Sequence, residues 1–69
     1  MIEVDARGLS CPLPVMRTKD AIADLPGEAV VLVDSGTAKA NVENLLADSG
    51  YVVTTAQGPD GYRIVGKRD

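Results

Sequence analysis

The run Ala29-Val30-Val31-Leu32-Val33 constrains the fold of this chain more than any other feature, because it is continuously apolar and rich in β-branched residues. Such a run fits a central strand, covered on both sides or paired in parallel with a neighbour. On either side of it the apolar period becomes helical. Upstream, the stretch from Pro12 to Leu25 places Val15, Thr18, Ile22 and Leu25 at helical spacing, with Arg17, Asp20 and Asp24 mostly elsewhere and Pro26-Gly27 as the stop. Downstream, Ala38, Val42, Leu45 and Leu46 recur in the same way. Asp34, Ser35 and Thr37 offer side-chain oxygens to cap this second helix, and Gly50 is placed to end it in a left-handed conformation.

The remaining segments read as strands. Met1 to Asp5 alternates, Ile2 and Val4 on one face and Glu3 and Asp5 on the other. Tyr51 to Ala56 and Tyr62 to Gly66 are two further strands separated by Gln57-Gly58-Pro59-Asp60-Gly61. That separator is a turn, since proline presets one dihedral and glycine accepts positive φ. The expected order is therefore βαβαββ. A helix between the first two strands implies a right-handed parallel crossover, and the last two strands should form an antiparallel hairpin. The expected fold is an α+β two-layer sandwich with both helices on one face of a four-stranded mixed sheet. Val30 and Leu32 point opposite to Val31 and Val33, so one of these pairs must face the open side unless another segment covers it.

At 69 residues the chain is expected to be one domain, residues 1–69, near the size at which only roughly 60% of the unfolded surface is buried on folding. Its core must be small and aliphatic, because Phe and Trp are absent and Tyr51 and Tyr62 are the only aromatics. The stacking platforms of single-stranded nucleic-acid binders are therefore missing, and a net charge of −3 gives no basic face to neutralise phosphates. Direct binding to nucleic acid is not expected. Nor is a membrane role, because no apolar run is long enough to cross a bilayer and the first residues, with Glu3 and Asp5, lack a signal-peptide pattern. The expected location is cytoplasmic. A single cysteine agrees with it, since small secreted domains more often carry an even set of disulfide-forming cysteines.

That cysteine, Cys11, stands in Ser10-Cys11-Pro12-Leu13-Pro14, between a short strand and a helix. Proline is favoured at the first position of a helix, and it biases the residue before it toward the extended backbone of a cap. Cys11 therefore reads as the N-cap of the first helix, facing the positive end of the helix dipole and the unpaired amides of the first turn. Both favour thiolate over thiol. Leu13 also precedes a proline, so the alternative is a helix that starts at Pro14 with Cys11 on an extended lead-in. Either arrangement exposes the sulfur. The chain has no histidine, hence no imidazole base to activate the thiol and no neutral nitrogen ligand for zinc. With no second cysteine it cannot form an internal disulfide, and no cofactor or metal is expected. A lone activated thiol is suited to thiol exchange, which needs only a nucleophilic sulfur and access.

The segment Asp5-Ala6-Arg7-Gly8-Leu9-Ser10-Cys11-Pro12-Leu13-Pro14, with Asp5, Gly8, Cys11, Pro12 and Pro14 as its marks, resembles the signature of the TusA/SirA/YedF family of small sulfur-carrier proteins. The element order fits that family along the whole chain. Val33-Asp34-Ser35-Gly36-Thr37-Ala38-Lys39-Ala40-Asn41 looks more like the amino-terminal domain of YedF-type proteins. The resemblance implies that Cys11 carries a persulfide received from a cysteine desulfurase or a rhodanese-type sulfurtransferase and passes the sulfur to an acceptor protein. In the best-known member the relay ends in thiolation of a transfer-RNA uridine. Other branches are linked to sulfur oxidation, molybdenum-cofactor supply or selenium metabolism.

Each residue singled out also has a plainer role. Gly8 suits a turn that needs positive φ, Asp5 suits bonding to loop amides, and Pro12 and Pro14 are structural in themselves while aiming Cys11. Arg7, Arg17 and Lys19 are candidates for an electropositive rim that receives a donor protein or steadies a persulfide anion, or are ordinary solvated charges. Two function classes follow: a sulfur carrier that works with separate enzymes as a sulfurtransferase-type partner, and a non-catalytic interaction or regulatory domain with an inert cysteine.

Overall fold

The computed structural model describes residues 2–9, 13–24 and 26–68. The assignments of Cys11 as a helix cap and of Pro12 as the first helical residue lie outside the described residues, as do Met1, Ser10 and Leu25. The elements are β1 (Ile2–Asp5), α1 (Leu13–Ala21), β2 (Glu28–Val33), α2 (Gly36–Asp48), β3 (Val52–Gly58) and β4 (Gly61–Lys67), the expected βαβαββ order. They form one four-stranded sheet in the order β1-β2-β4-β3, with β1 parallel to β2 and the other pairs antiparallel. The hairpin thus docks through its second strand. The apolar run becomes a central strand, paired in parallel on one side and antiparallel on the other.

One face of the sheet makes the core. Ala29, Val31 and Val33 of β2 and Ile64 of β4 are buried together with Ile22, just past α1, and Ala38, Val42 and Leu46 of α2. Both helices therefore lie on that face, and they also pack against each other. Val30 and Leu32 take the opposite face. Val30 is nevertheless only 1% exposed, flanked in register by Glu3 on β1 and Val65 on β4. Side chains directly opposite one another on neighbouring strands lie within contact distance, which accounts for burial on a face without helices.

Three boundaries differ from expectation. α1 ends at Ala21 rather than running to Leu25. Ile22 still donates to the carbonyl of Thr18 four residues back, at 3.0 Å, but Ala23 donates to Asp20, three back, at 3.3 Å. The last turn tightens ahead of Pro26, whose ring disfavours helical dihedrals in the residue before it. The strands of the hairpin reach further than expected. Gly58 pairs with Gly61, which leaves Pro59 and Asp60 as the whole loop. β3, in turn, begins one residue after Tyr51, which packs in the core. Tyr62 lies on β4 opposite Val33 and Gln57.

α2 ends as its sequence suggests. Gly50 has φ 93°, its amide donates to Ala47 at 3.1 Å, and the Tyr51 amide donates to Leu46 at 3.0 Å. This is the paired 5→2 and 6→1 pattern that satisfies the last carbonyls of a helix. Among the described residues, no helix is long and apolar enough to cross a membrane.

Candidate functional site

The topology gathers the chemistry-bearing residues at one end of the sheet. β1 and β2 run parallel, so the loops that follow them leave from the same edge, and α1 and α2 start there. β4 runs the other way, which brings the Pro59-Asp60 turn to that edge as well. Loops beyond the carboxyl ends of parallel strands are the usual place for a site in sheets of this kind.

The loop after β1 is held in three ways. Ala6 is buried and its amide donates to the Leu32 carbonyl at 2.8 Å, extending the parallel ladder by one step. Asp5 then folds back on the loop. Its Oδ1 accepts from the Arg7 amide at 3.2 Å and from Arg7 Nε at 2.9 Å, and its Oδ2 accepts from Arg7 Nη2 at 2.9 Å. The expected bonding of Asp5 to a loop amide is present. Finally, Gly8 takes φ 78° and donates its amide to Asp34 Oδ2 at 2.7 Å.

Asp34 was expected to compete for the cap of α2. It does not take that role, because Ser35 has the extended backbone of a cap (φ −136°, ψ 152°) and its Oγ accepts from the Ala38 amide at 3.1 Å. Asp34, one residue earlier, is free to turn toward the first loop. The local sequence holds no sign of this, since the partner is 26 positions away.

The charges are arranged less simply than a positive rim. The Arg7 fork holds the Asp5 carboxyl well below the ordinary aspartate range, at about 2, chiefly through the side-chain hydrogen bonds. In return Asp5 raises Arg7, and the fields of Asp60 and Asp34 add to the effect. Arg7 is thus closed on Asp5, whereas Arg17 and Lys19 are exposed on α1 and form no ion pair among the described residues. The three cations are not brought together by hydrogen bonds. Arg7 instead borders a shallow groove floored by Leu32 and closed by Pro59, Asp60, Tyr62 and Arg63.

α1 supplies two further features. Pro14 is buried in its first turn, where a missing amide hydrogen costs nothing, and its carbonyl accepts from the buried Thr18 hydroxyl at 2.8 Å. Leu13 and Met16, three residues apart and so on neighbouring positions of the helix surface, remain 39% and 53% exposed. The sequence reading gives neither of them a place on the surface, although both are large apolar side chains off the buried stripe of Thr18 and Ile22.

The sequence model of the family described as "Sulfurtransferase TusA" matches residues 2–68. The chain belongs to that family. Its relatives include "Putative sulfur carrier protein" chains of Neisseria meningitidis serogroup A, 37% identical over 84% of this chain and 81% of theirs, and of Methanocaldococcus jannaschii, 35% identical over 99% and 95%. The crystal structure of a SirA-like protein from Desulfitobacterium hafniense is similar over 97% of this chain and 96% of that one, with a TM-score of 0.87 and 32% identity. The resemblance drawn from the Asp5 to Pro14 motif and the βαβαββ order is therefore shown.

Proposed function

We propose that this chain is a sulfur carrier that accepts a sulfane sulfur on Cys11 from a cysteine desulfurase or a rhodanese-type enzyme and hands it to an acceptor protein. The observation that carries the reading is the family match across residues 2–68 in a chain whose only cysteine lies in the motif. The step needs no base or cofactor of the chain's own. The Cys11 thiolate attacks the outer sulfur of the donor's persulfide, a new S–S bond forms at Cys11, and the donor leaves as a thiolate. Two-electron bookkeeping is neutral, because one S–S bond replaces another. The acceptor's thiolate repeats the exchange and frees Cys11.

Several features support this reading. The loop that leads toward Cys11 is fixed to β2 through Ala6 and to Asp34, the residue after β2, through Gly8, and α1 begins two residues after the cysteine. Leu13 and Met16 offer apolar contact, and Arg17 and Lys19 offer exposed cations without an ion pair among the described residues, to a partner that must approach closely. Such a carrier would work as a single domain in the cytoplasm, where desulfurases and thiol exchange operate. Incubation with a cysteine desulfurase and cysteine, without reductant, should add the mass of one sulfur atom to the intact protein. A Cys11→Ala variant should gain none. A wild-type mass that stays unchanged, with a folded-state thiol that resists alkylation, would instead favour an interaction domain with an inert cysteine.

A further inference from the structure

We propose that Asp34 is a positioning residue for the sulfur-bearing loop, acting through its hydrogen bond to the Gly8 amide; its role in transfer rests on the carrier reading above. The bond is 2.7 Å long, has an ionised acceptor, and joins positions 26 residues apart. Charge-assisted bonds of this length are about twice as strong as neutral ones.

The place of the bond matters more than its strength. Past Ala6, the loop has left the sheet ladder, and among the described residues the backbone–backbone bond that follows, from the Leu9 amide to the Ala6 carbonyl, is long at 3.4 Å. The Asp5 and Arg7 contacts tie the loop back only to the last residue of β1, two positions away, and not to the strand or helix opposite. Gly8 is therefore where the loop is tied to the opposite element just before Leu9 packs on the core and the chain enters residues 10–12. Gly8 can point its amide this way because φ 78° is open to glycine at no steric cost.

Asp34 sits on a rigid base. It follows Val33, fully buried in the central strand, and precedes Ser35, which is fixed as the cap of α2. No capping work competes for its carboxylate. A change in Asp34 is thus transmitted to Gly8 without loosening the helix. Because reacting atoms misplaced by about 1 Å can slow a reaction roughly a hundredfold, a tether three residues from the nucleophile is placed to control transfer.

The test compares wild type, Asp34→Ala and Asp34→Asn, the last keeping a carbonyl oxygen that can accept from Gly8. Three quantities are measured: amide exchange at Gly8, the pH profile of Cys11 alkylation, and the rate of sulfur loading from a desulfurase. Asp34→Ala should expose the Gly8 amide to exchange, raise the alkylation midpoint toward that of a free thiol, and lower the kcat of loading roughly tenfold with KM little changed. Asp34→Asn should restore most of each. A bare charge effect has the opposite sign, since removing a nearby negative charge lowers a thiol pKa in both variants alike. That pattern, a loss explained by unfolding alone, or an Asp34→Ala variant that behaves as wild type would overturn the proposal. A wild-type protein that takes up no sulfur defeats the carrier reading instead, while amide exchange and alkylation still decide whether Asp34 holds the loop.

Discussion

The ring of Tyr51 lies so close over Gly66 that a Cβ at this glycine would sit 3.2 Å from Cβ, Cγ and Cδ1 of the tyrosine. The ring cannot retreat freely, because its hydroxyl donates to the Pro26 carbonyl at 2.7 Å and the Arg68 guanidinium lies 5.6 Å from its centroid. Gly66→Ala should therefore destabilise the protein by about 1–2 kcal/mol, the usual cost of overfilling a packed site. Urea unfolding checks this: the midpoint should fall at an unchanged m-value. An equal or higher midpoint would mean that the ring yields and that the better strand propensity of alanine prevails.

Gly61 should be far less tolerant. Its φ is 132°, and an added Cβ would overlap the Val33 carbonyl oxygen and come within 2.9 Å of Asp34 Cα, both backbone atoms. Nothing there can rotate away. Gly61→Ala should cost about 3 kcal/mol or more, combining backbone strain with a main-chain clash. Because Asp34 is the residue displaced, faster exchange at the Gly8 amide should accompany the stability loss. A variant that is destabilised but keeps Gly8 protected would show that the hairpin tip and the first loop are mechanically independent.

The parts of this fold that were legible in the sequence are those written in local period and turn chemistry. The switch between the alternation of Ile2 to Asp5, the helical spacing of Val15 to Ile22 and the apolar run of β2 marks each element, and Ser35, Gly50 and Pro59 mark ends. Neighbour relations are another matter. Periodicity does not say that β4 rather than β3 lies beside β2, and an aspartate just before a helix reads as a cap whether or not a distant amide claims it. In the same way Arg7 was readable as a cation but not as one closed on Asp5, because side-chain pairing across two residues depends on how the loop turns at Gly8. The family was legible through the motif around Cys11 and its prolines. The apolar surface of Leu13 and Met16 was not, since only the packing of α1 decides which of its apolar residues stay outside.

The Asp5 carboxyl provides a pH signature of the loop. Its folded value is about 2, whereas an unfolded aspartate titrates near roughly 3.9. A depressed carboxylate contributes stability that is full above the unfolded value and is lost as pH falls through the folded one. The contribution should therefore fade between about pH 4 and pH 2. Both partners are well exposed, so the effect on total stability is small and the titration itself is the better readout. Carbon-detected NMR should place the Asp5 midpoint near 2, and Arg7→Ala should return it to the ordinary range. A midpoint that ignores Arg7→Ala would remove the fork from the account of this loop.

A second carboxylate reports on the packing of α2 against β3. Glu43 Oε2 accepts from the Thr55 hydroxyl and its Oε1 lies 3.2 Å from Lys39 Nζ, which itself stands 5.7 Å from the Tyr62 ring centroid. The Thr55 hydroxyl, then Lys39, lower the Glu43 titration. Thr55→Val, which keeps the branched shape, should raise its midpoint, and Lys39→Met should raise it less. The stabilising share is present above the unfolded glutamate value and disappears as pH drops through the folded one, so acid unfolding of Thr55→Val should show a weaker pH dependence in that window. If Lys39→Met proves the larger effect, the charge rather than the hydroxyl governs this group.

Met16 gives the most direct test of how a partner approaches. It is 53% exposed on α1, beside Leu13 at 39%, at the end of the helix that follows the cysteine by two residues. Large exposed apolar side chains are where desolvated contact with another protein is most favourable. Met16→Glu places a charge in that contact at a position outside the core cluster. Stability should stay within about 0.5 kcal/mol of wild type, as for most surface substitutions. In desulfurase-driven loading, KM should rise roughly tenfold while kcat changes little, the mark of lost docking rather than lost chemistry. Asp34→Ala is expected to show the reverse split. An unchanged KM in Met16→Glu would place the donor on another face of the molecule and leave the exposed pair on α1 without a role in transfer.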